Sequence, residues 1–485
     1  MSEEQQETLV ERTLSNLATA WRDIAQSAAR TVGLSRDPAT CRPESLKRLM
    51  SDCLEARGGE VSARMRAAAL GRAYLELDSH GRERFLTVLA QEFAVRPDVV
   101  DEALKGYKAS ANDADRLKAE SLLRQALQPP RLRLLTQFNA LPEGVKFLVD
   151  LRADLLALHS DDPYLQGLDN DLRELLLSWF DTGFLDLRAI DWDSPASLLE
   201  KLVAYEAVHE ITSWQDLRNR LDSDRRCYAL FHPRMPEEPL AFVEVALVQG
   251  MAGSIQALLD ETAPKMDPQQ ADAAIFYSIS NTQKGLKQIS FGDFLIKRVV
   301  QTLSREFPKL KIFATLSPIP GLRRWLDKLS DEELVAAFSA EDLADLPTFT
   351  EERGLRETVN DLLKKPGWVK NPKASMALQP PLTALAARYL LSKRDDGQPV
   401  DAVARFHLRN GARLERLNWL GDNSANGLAG SAGLMVNYRY VVDEIEANHE
   451  AYMKDGRIAV GHEMRGLLRA TRDSAASPLR RLGIG

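Results

Sequence analysis

The segment Ser278-Ile-Ser-Asn-Thr-Gln-Lys-Gly-Leu-Lys-Gln-Ile-Ser-Phe-Gly-Asp293 holds the first residue types whose spacing can do chemistry. Gly285 and Gly292 relax its backbone, so amides can turn one way, and a helix is predicted to begin near Phe291. Amides gathered at a helix N-terminus attract an anion such as a pyrophosphate. Lys284 and Lys287 add charge in the loop, with Lys297 and Arg298 one to two turns into the helix. The same spacing also suits a tight connection with no ligand. In a second segment, Ser317 precedes Pro318, Pro320 and Gly321. The prolines impose an extended, rigid path that can hold a hydroxyl in place. The bland alternative makes Ser317 a local cap. His407 lies late in Ala404-Arg-Phe-His-Leu-Arg-Asn-Gly-Ala412, read as an alternating strand with Phe406 and Leu408 facing opposite to it. Histidine titrates near neutral pH and suits proton transfer, although a structural histidine fits the pattern equally. Tyr438 and Tyr440 in Leu434-Met-Val-Asn-Tyr-Arg-Tyr440 can donate phenolic hydrogen bonds or simply pack.

Other chemistries lack their signatures. There is no HExxH motif, and the seven histidines show no metal-ligand pairing with one another or with the cysteines. No GxGxxG with a following acid, no GxxxxGK[ST] and no GxSxG elbow is present.

The elements that must position these residues follow from periodicity. The first ~180 residues read as helices. Arg64 to Leu77 is rich in helix formers, and Phe85, Leu86, Leu89 and Phe93 recur at helical spacing. So do Leu117, Leu122, Leu123 and Leu127, until Pro129-Pro130 ends that segment. Phe147 to Leu158 and Leu172 to Phe180 repeat the pattern, which predicts an antiparallel helical bundle. His80 and His159 stand isolated there, suited to solvated or capping roles. The character changes near 178–193. After a helix at 195–208, strands are predicted at 226–231, 240–248, 274–279 and 311–316, the second apolar except for Glu244 and therefore central. A helix at 291–307 completes a strand–loop–helix–strand unit. A helical insertion with a Ser330–Glu333 capping box occupies about 322–395. Strands at 403–408 and 414–420, a Gly/Asn/Ser-rich loop at 421–433 and a helical tail follow.

The bulk numbers bound the class. A chain of 485 residues implies two to four domains as a prior, and 44% hydrophobic with 27% charged residues is an ordinary globular balance. The net charge of -7 disfavours general nucleic-acid binding but leaves room for one basic pocket. Three cysteines, Cys41, Cys53 and Cys227, include no CxxC pair and cannot build a disulfide framework, which fits a reducing compartment. The N-terminus lacks the basic and apolar regions of a secretory signal, no run of 18 apolar residues occurs, and the C-terminus is not S-K-L. A cytoplasmic location is expected, with no membrane partner.

Taken together, the chemical segments resemble the malonyl-CoA decarboxylase family. The resemblance rests on FYSISNTQKGLKQISFGDFLIKRVV (276–300), REFPKLKIFATLSPIPG (305–321), FHLRNGARLERLNWLGD (406–422) and GLMVNYRY (433–440), supported by SWFDTGFLDL (178–187) and RRCYALFHP (225–233). It covers most of 178–442. It implies an α+β chain: a helical, oligomerising domain over 1–178, then a catalytic domain over 179–485 similar to the N-acetyltransferase (GNAT) fold with helical insertions. It places malonyl-CoA binding on Lys287, Gln288, Ile289, Ser290, Phe291, Gly292 and Asp293, the catalytic serine on Ser317, the catalytic histidine on His407 and a supporting tyrosine on Tyr440. Many relatives carry a glutamate where this chain has Ser290, so either another carboxylate such as Asp293 acts or none is required. The family also implies a homotetramer built as a dimer of dimers.

The implied reaction removes CO2 from malonyl-CoA and leaves acetyl-CoA, in malonate or fatty-acid metabolism. The thioester is itself the electron sink for the enolate, so no metal or organic cofactor is expected. A fixed donor near the thioester oxygen stabilises the growing charge. Ser317 and His407 are expected to contact the malonyl group, with His407 supplying the proton. Whether Ser317 moves a proton or only positions the carboxylate stays open. Two rivals share the CoA loop: an acyltransferase that needs an acceptor amine, and a sensing module that binds without turnover.

Overall fold

The computed structural model describes Trp21 and residues 43–54, 59–289, 291–347, 350 and 354–468. Cys41 and Ser290 lie outside the described residues, as do the side chains of Gly292 and Asp293.

The chain opens with α1 (Pro43–Leu54), α2 (Gly59–Leu75), α3 (Ser79–Glu92), α4 (Pro97–Lys108), α5 (Asp113–Ala126), α6 (Pro130–Phe138), α7 (Gly144–Ala157) and α8 (Pro163–Trp179). Local chemistry sets their ends. Asp78 caps α3 by accepting from the Gly81 amide at 2.7 Å, and Pro130 starts α6 after the break that ends α5. Helix α7 buries Val145, Phe147, Leu148, Leu151 and Leu155, more than one face, because helices cover one side and the sheet domain the other. Bundle packing fails in one segment. Leu117, Leu122 and Leu127 are exposed, and α4 and α5 bury no residue, since the two helices pack mainly on each other. Periodicity there made a helix without supplying a cover. His80 and His159 are exposed, His80 beside Glu83, in keeping with solvated roles.

The second half is a mixed sheet with helices. Its elements are β1 (Asp186–Ile190), α9 (Ala196–Tyr205), α10 (Trp214–Arg220), β2 (Arg225–His232), β3 (Met235–Val248), α11 (Ile255–Leu259), β4 (Ala273–Asn281), α12 (Gly292–Glu306), β5 (Ile312–Thr315) and β6 (Ser317–Pro318). The insertion holds α13 (Leu322–Leu326), α14 (Asp331–Val335), α15 (Ala340–Asp345), α16 (Leu355–Lys364) and α17 (Pro372–Leu391). The predicted capping box at Ser330 is present. The chain continues through α18 (Ala402–Arg409), β7 (Arg413–Asn418), α19 (Ala425–Ser431), β8 (Met435–Tyr440) and α20 (Ile445–Asp455).

The sheet runs β1-β2-β3-β4-β5-β8, with β6 and β7 also on β8. Among the described strands β4 and β5 are the pair that runs parallel, joined by α12 as the predicted strand–loop–helix–strand unit. Leu295, Ile296, Val299, Val300 and Leu303 form the buried stripe of α12. One apolar core runs from the helical bundle through Leu286, Ile289 and Phe291 into the sheet. The architecture is therefore the expected α+β one: a helical region followed by a mixed-sheet domain.

Two local expectations are corrected. Residues 403–408 form helix α18, not a strand. Ala404, His407 and Leu408 share a buried helical face, and Asp401 caps the start by accepting from the Ala404 amide at 2.8 Å. The alternation was too short to outweigh that cap. Within 421–433, residues Ala425–Ser431 form α19, capped by Ser424 and ended by Ala432 in a left-handed conformation. Here a cap imposes about two turns of helix on a loop-like composition.

Candidate active site

Ser317 sits where a strand changes partner. The last bond from the β5 end to β4 is donated by the Leu316 amide to the Phe276 carbonyl at 3.0 Å. Beyond it β4 continues along β3 to Asn281, while Ser317 and Pro318 pair with Val436 and Met435 of β8. The β5–β8 register of Phe313↔Tyr440 carries straight on into Ser317↔Val436. Side chains bridge the interruption at Thr315-Leu316. Asn437 Nδ2 donates to the Thr315 carbonyl at 2.6 Å, and the Tyr438 amide donates to Thr315 Oγ1 at 3.1 Å. β4 and β5 thus part at the C-terminal edge of the parallel pair, the edge at which α/β sheets place ligands.

Two groups hold the Ser317 hydroxyl. It donates to Thr315 Oγ1 at 2.9 Å and lies 3.2 Å from His407 Nε2. His407 comes from α18 and is 3% exposed. Its ring stacks on Tyr438 at 4.6 Å between centroids, and its Nδ1 lies 2.8 Å from Tyr440 Oη. Burial among aromatic rings pushes its pKa down to about 3, so the imidazole is neutral at pH 7. A neutral ring carries one N–H. With Ser317 donating to Thr315, the self-consistent arrangement has Tyr440 O–H donating to Nδ1 and Nε2–H donating to Ser317 Oγ.

That arrangement separates two chemistries. A histidine that activates a serine nucleophile needs a carboxylate behind Nδ1 to support the imidazolium. His407 has a phenol there instead, and its neighbours are aromatic. The site is therefore built to present an N–H and a hydroxyl, not an alkoxide.

The anion loop takes shape at the end of β4. Thr282 and Gln283 tie it to the Pro239 carbonyl, Gln283 Nε2 at 3.0 Å. A single helical turn, Lys284–Leu286, follows, and Ile289 and Phe291 plug into the core. Lys284, Lys287 and Gln288 are exposed. Of the helix cations, Lys297 pairs with Glu446 at 2.8 Å and Arg298 lies over the Phe294 ring. The loop's own exposed cations are therefore Lys284 and Lys287. Sequence reasoning missed Thr315 and Asn437 as supports of Ser317. Thr315 stands two residues before it, a strand spacing that puts both hydroxyls on one face. Asn437 gave no signal.

No helix among the described residues is long and apolar enough to cross a membrane. The model of the malonyl-CoA decarboxylase C-terminal domain matches residues 183–477, and that of the N-terminal domain matches 93–180. The mitochondrial malonyl-CoA decarboxylase of Rattus norvegicus is 36% identical over 436 residues, 86% of this chain and 85% of that protein. The crystal structure of malonyl-CoA decarboxylase from Rhodopseudomonas palustris is similar with a TM-score of 0.77 and 40% identity, covering 88% of this chain and 99% of that one. The corresponding crystal structure from Cupriavidus metallidurans gives 0.69 and 43%, covering 88% and 100%.

Proposed function

The chain belongs to the malonyl-CoA decarboxylase family, and from this premise we propose that it is a carboxy-lyase converting malonyl-CoA to acetyl-CoA and CO2 through its Ser317–His407 pair. The observation that carries the reading is the line of contacts from Tyr440 through His407 to Ser317, at the point where β4 and β5 part. Malonyl-CoA lies with its phosphates on the 282–291 loop and its malonyl group at Ser317.

Cleavage of the C2–carboxylate bond releases CO2 and leaves its electron pair in the enolate. Ser317 turns its hydroxyl from Thr315 to the thioester oxygen, where one fixed donor lowers the barrier by about 3 kcal/mol. His407 Nε2–H then passes its proton to C2 as Nδ1 takes the Tyr440 phenol proton, and solvent reprotonates the phenolate, supplying the one proton the reaction consumes. A neutral histidine suits this step, since an imidazolium would sit uncompensated in an apolar cage. The thioester carries the charge, so the reaction runs without metal or organic cofactor.

We place the reaction in malonate or fatty-acid metabolism in the cytoplasm and take the active form as a homotetramer, to be checked by cell fractionation and light scattering. The deciding assay incubates the purified protein with malonyl-CoA alone and follows acetyl-CoA and CO2. Both should form with no added acceptor. Product only in the presence of an amine would make the protein an acyltransferase, and binding without product would make it a sensor.

A further inference from the structure

Residues Leu286–Ile289 form a type II turn. Lys287 has φ -52° and ψ 133°, Gln288 has φ 69°, and the Ile289 amide donates to the Leu286 carbonyl at 2.9 Å. Type II turns favour glycine at the third position, because only glycine takes positive φ at no steric cost. Gln288 is not glycine. Left to itself, the central peptide between Lys287 and Gln288 would rotate by about 180° to the type I form, which returns Gln288 to negative φ.

The group that opposes this rotation comes from the helical bundle. Arg152 of α7 is fully buried. Its Nε donates to Asp169 of α8 at 2.8 Å, and its Nη1 donates to the Lys287 carbonyl at 2.9 Å and the Gly285 carbonyl at 2.7 Å. The Lys287 carbonyl belongs to the central peptide of the turn. A Cβ on Gly285 would stand 1.8 Å from the Val149 carbonyl, so α7 presses directly on the loop.

We propose that Arg152 is a positioning residue for the CoA-binding loop: it locks the Leu286–Ile289 turn in its type II form and so fixes which way the Lys287–Gln288 peptide points. In a trans peptide the N–H points opposite to the C=O. With the carbonyl drawn to Arg152, the Gln288 N–H faces away from the bundle, on the exposed side. In the type I form a carbonyl oxygen would occupy that side and repel a phosphate. Arg152 thus sets the sign of the dipole that a bound anion meets. The helical bundle, on this view, completes the substrate site. The inference rests on the reading that this loop binds CoA.

The test measures binding of acetyl-CoA by calorimetry and kcat and KM for malonyl-CoA, with folding followed by circular dichroism. Arg152→Met should weaken acetyl-CoA about tenfold and raise KM to match, leaving kcat within about twofold. Adding Gln288→Gly to Arg152→Met should recover most of that loss, because glycine makes the type II turn without help. General loss of packing would not be rescued by a glycine in the loop. If Arg152→Met does not fold, Arg152→Lys, which keeps a charge beside Asp169 but lacks the fork, should show a smaller loss with the same rescue. Wild-type affinity in the arginine variants, or no gain from Gln288→Gly, overturns the inference. Lys284→Ala with Lys287→Ala separates the layers. If the lysine variant binds weakly while the arginine variants bind normally, only the role of Arg152 fails. If all bind normally, the loop is not the CoA site.

Discussion

At the end of β5, Ser317 and His407 are buried side chains fixed by other side chains. At the end of β4, the loop from Thr282 to Phe291 is largely held through its own carbonyls and two core plugs, with its lysines in solvent. The two regions start from neighbouring strands and solve different problems. The first has to exclude water and keep a histidine neutral, which demands burial. The second has to receive and release a highly charged ligand, which demands exposed cations and oriented amides. On the proposed function, chemistry is concentrated where solvent is absent, and affinity where it is present. Substitutions should divide accordingly, those in the first region acting on kcat and those in the second on KM.

The strongest challenge to that division is His407→Asn. It should cut kcat by about a thousandfold with KM little changed, since it removes the proton donor. A KM defect of similar size would erase the contrast. Ser317→Ala should follow at about a hundredfold in kcat, the worth of one donor on a developing oxyanion. Tyr440→Phe should lower kcat by about a hundredfold with KM little changed, since it removes the proton that Nδ1 takes as Nε2–H leaves. Replacing Lys284 and Lys287 together by alanine should raise KM about tenfold at low salt, and the difference from wild type should shrink as ionic strength rises. Persistence of the difference in high salt would show that the lysines act by something other than charge.

The smallest effects come from pH. The His407 pKa falls from its ordinary 6.5 to about 3 in the folded protein. Its protonation state is therefore constant from pH 7 to about pH 5, and kcat should show no loss with a midpoint near 6.5. Between about 3 and 6.5 the unfolded chain binds a proton there that the native chain refuses, so stability is lost as pH falls through that window. His407→Gln should flatten the dependence of Tm on pH over this range. An unchanged slope would mean that the histidine is not held neutral by burial.

The strand–loop–helix–strand unit, the Pro-stiffened path at Ser317 and the Ser330 capping box were all legible in the sequence. Each depends on residues a few positions apart, whose propensities and caps act locally. His407, expected in a strand, stands on a helix, because six alternating residues cannot outweigh the Asp401 cap and a buried i, i+3, i+4 face. The exposed leucines of α5 show the same limit: periodicity specifies a helix and says nothing of what covers it.

Composition, local pattern and family resemblance therefore determined which residues could act and on what class of molecule. Tertiary structure alone decided that Ser317 meets a histidine 90 positions later, that a phenol and not a carboxylate stands behind that histidine, and that an arginine 135 positions before the Lys287 carbonyl holds the loop. The physical reason is range. Helix and turn preferences are paid within a turn of chain, whereas these contacts exist only once the strands and helices that carry them have packed into one core.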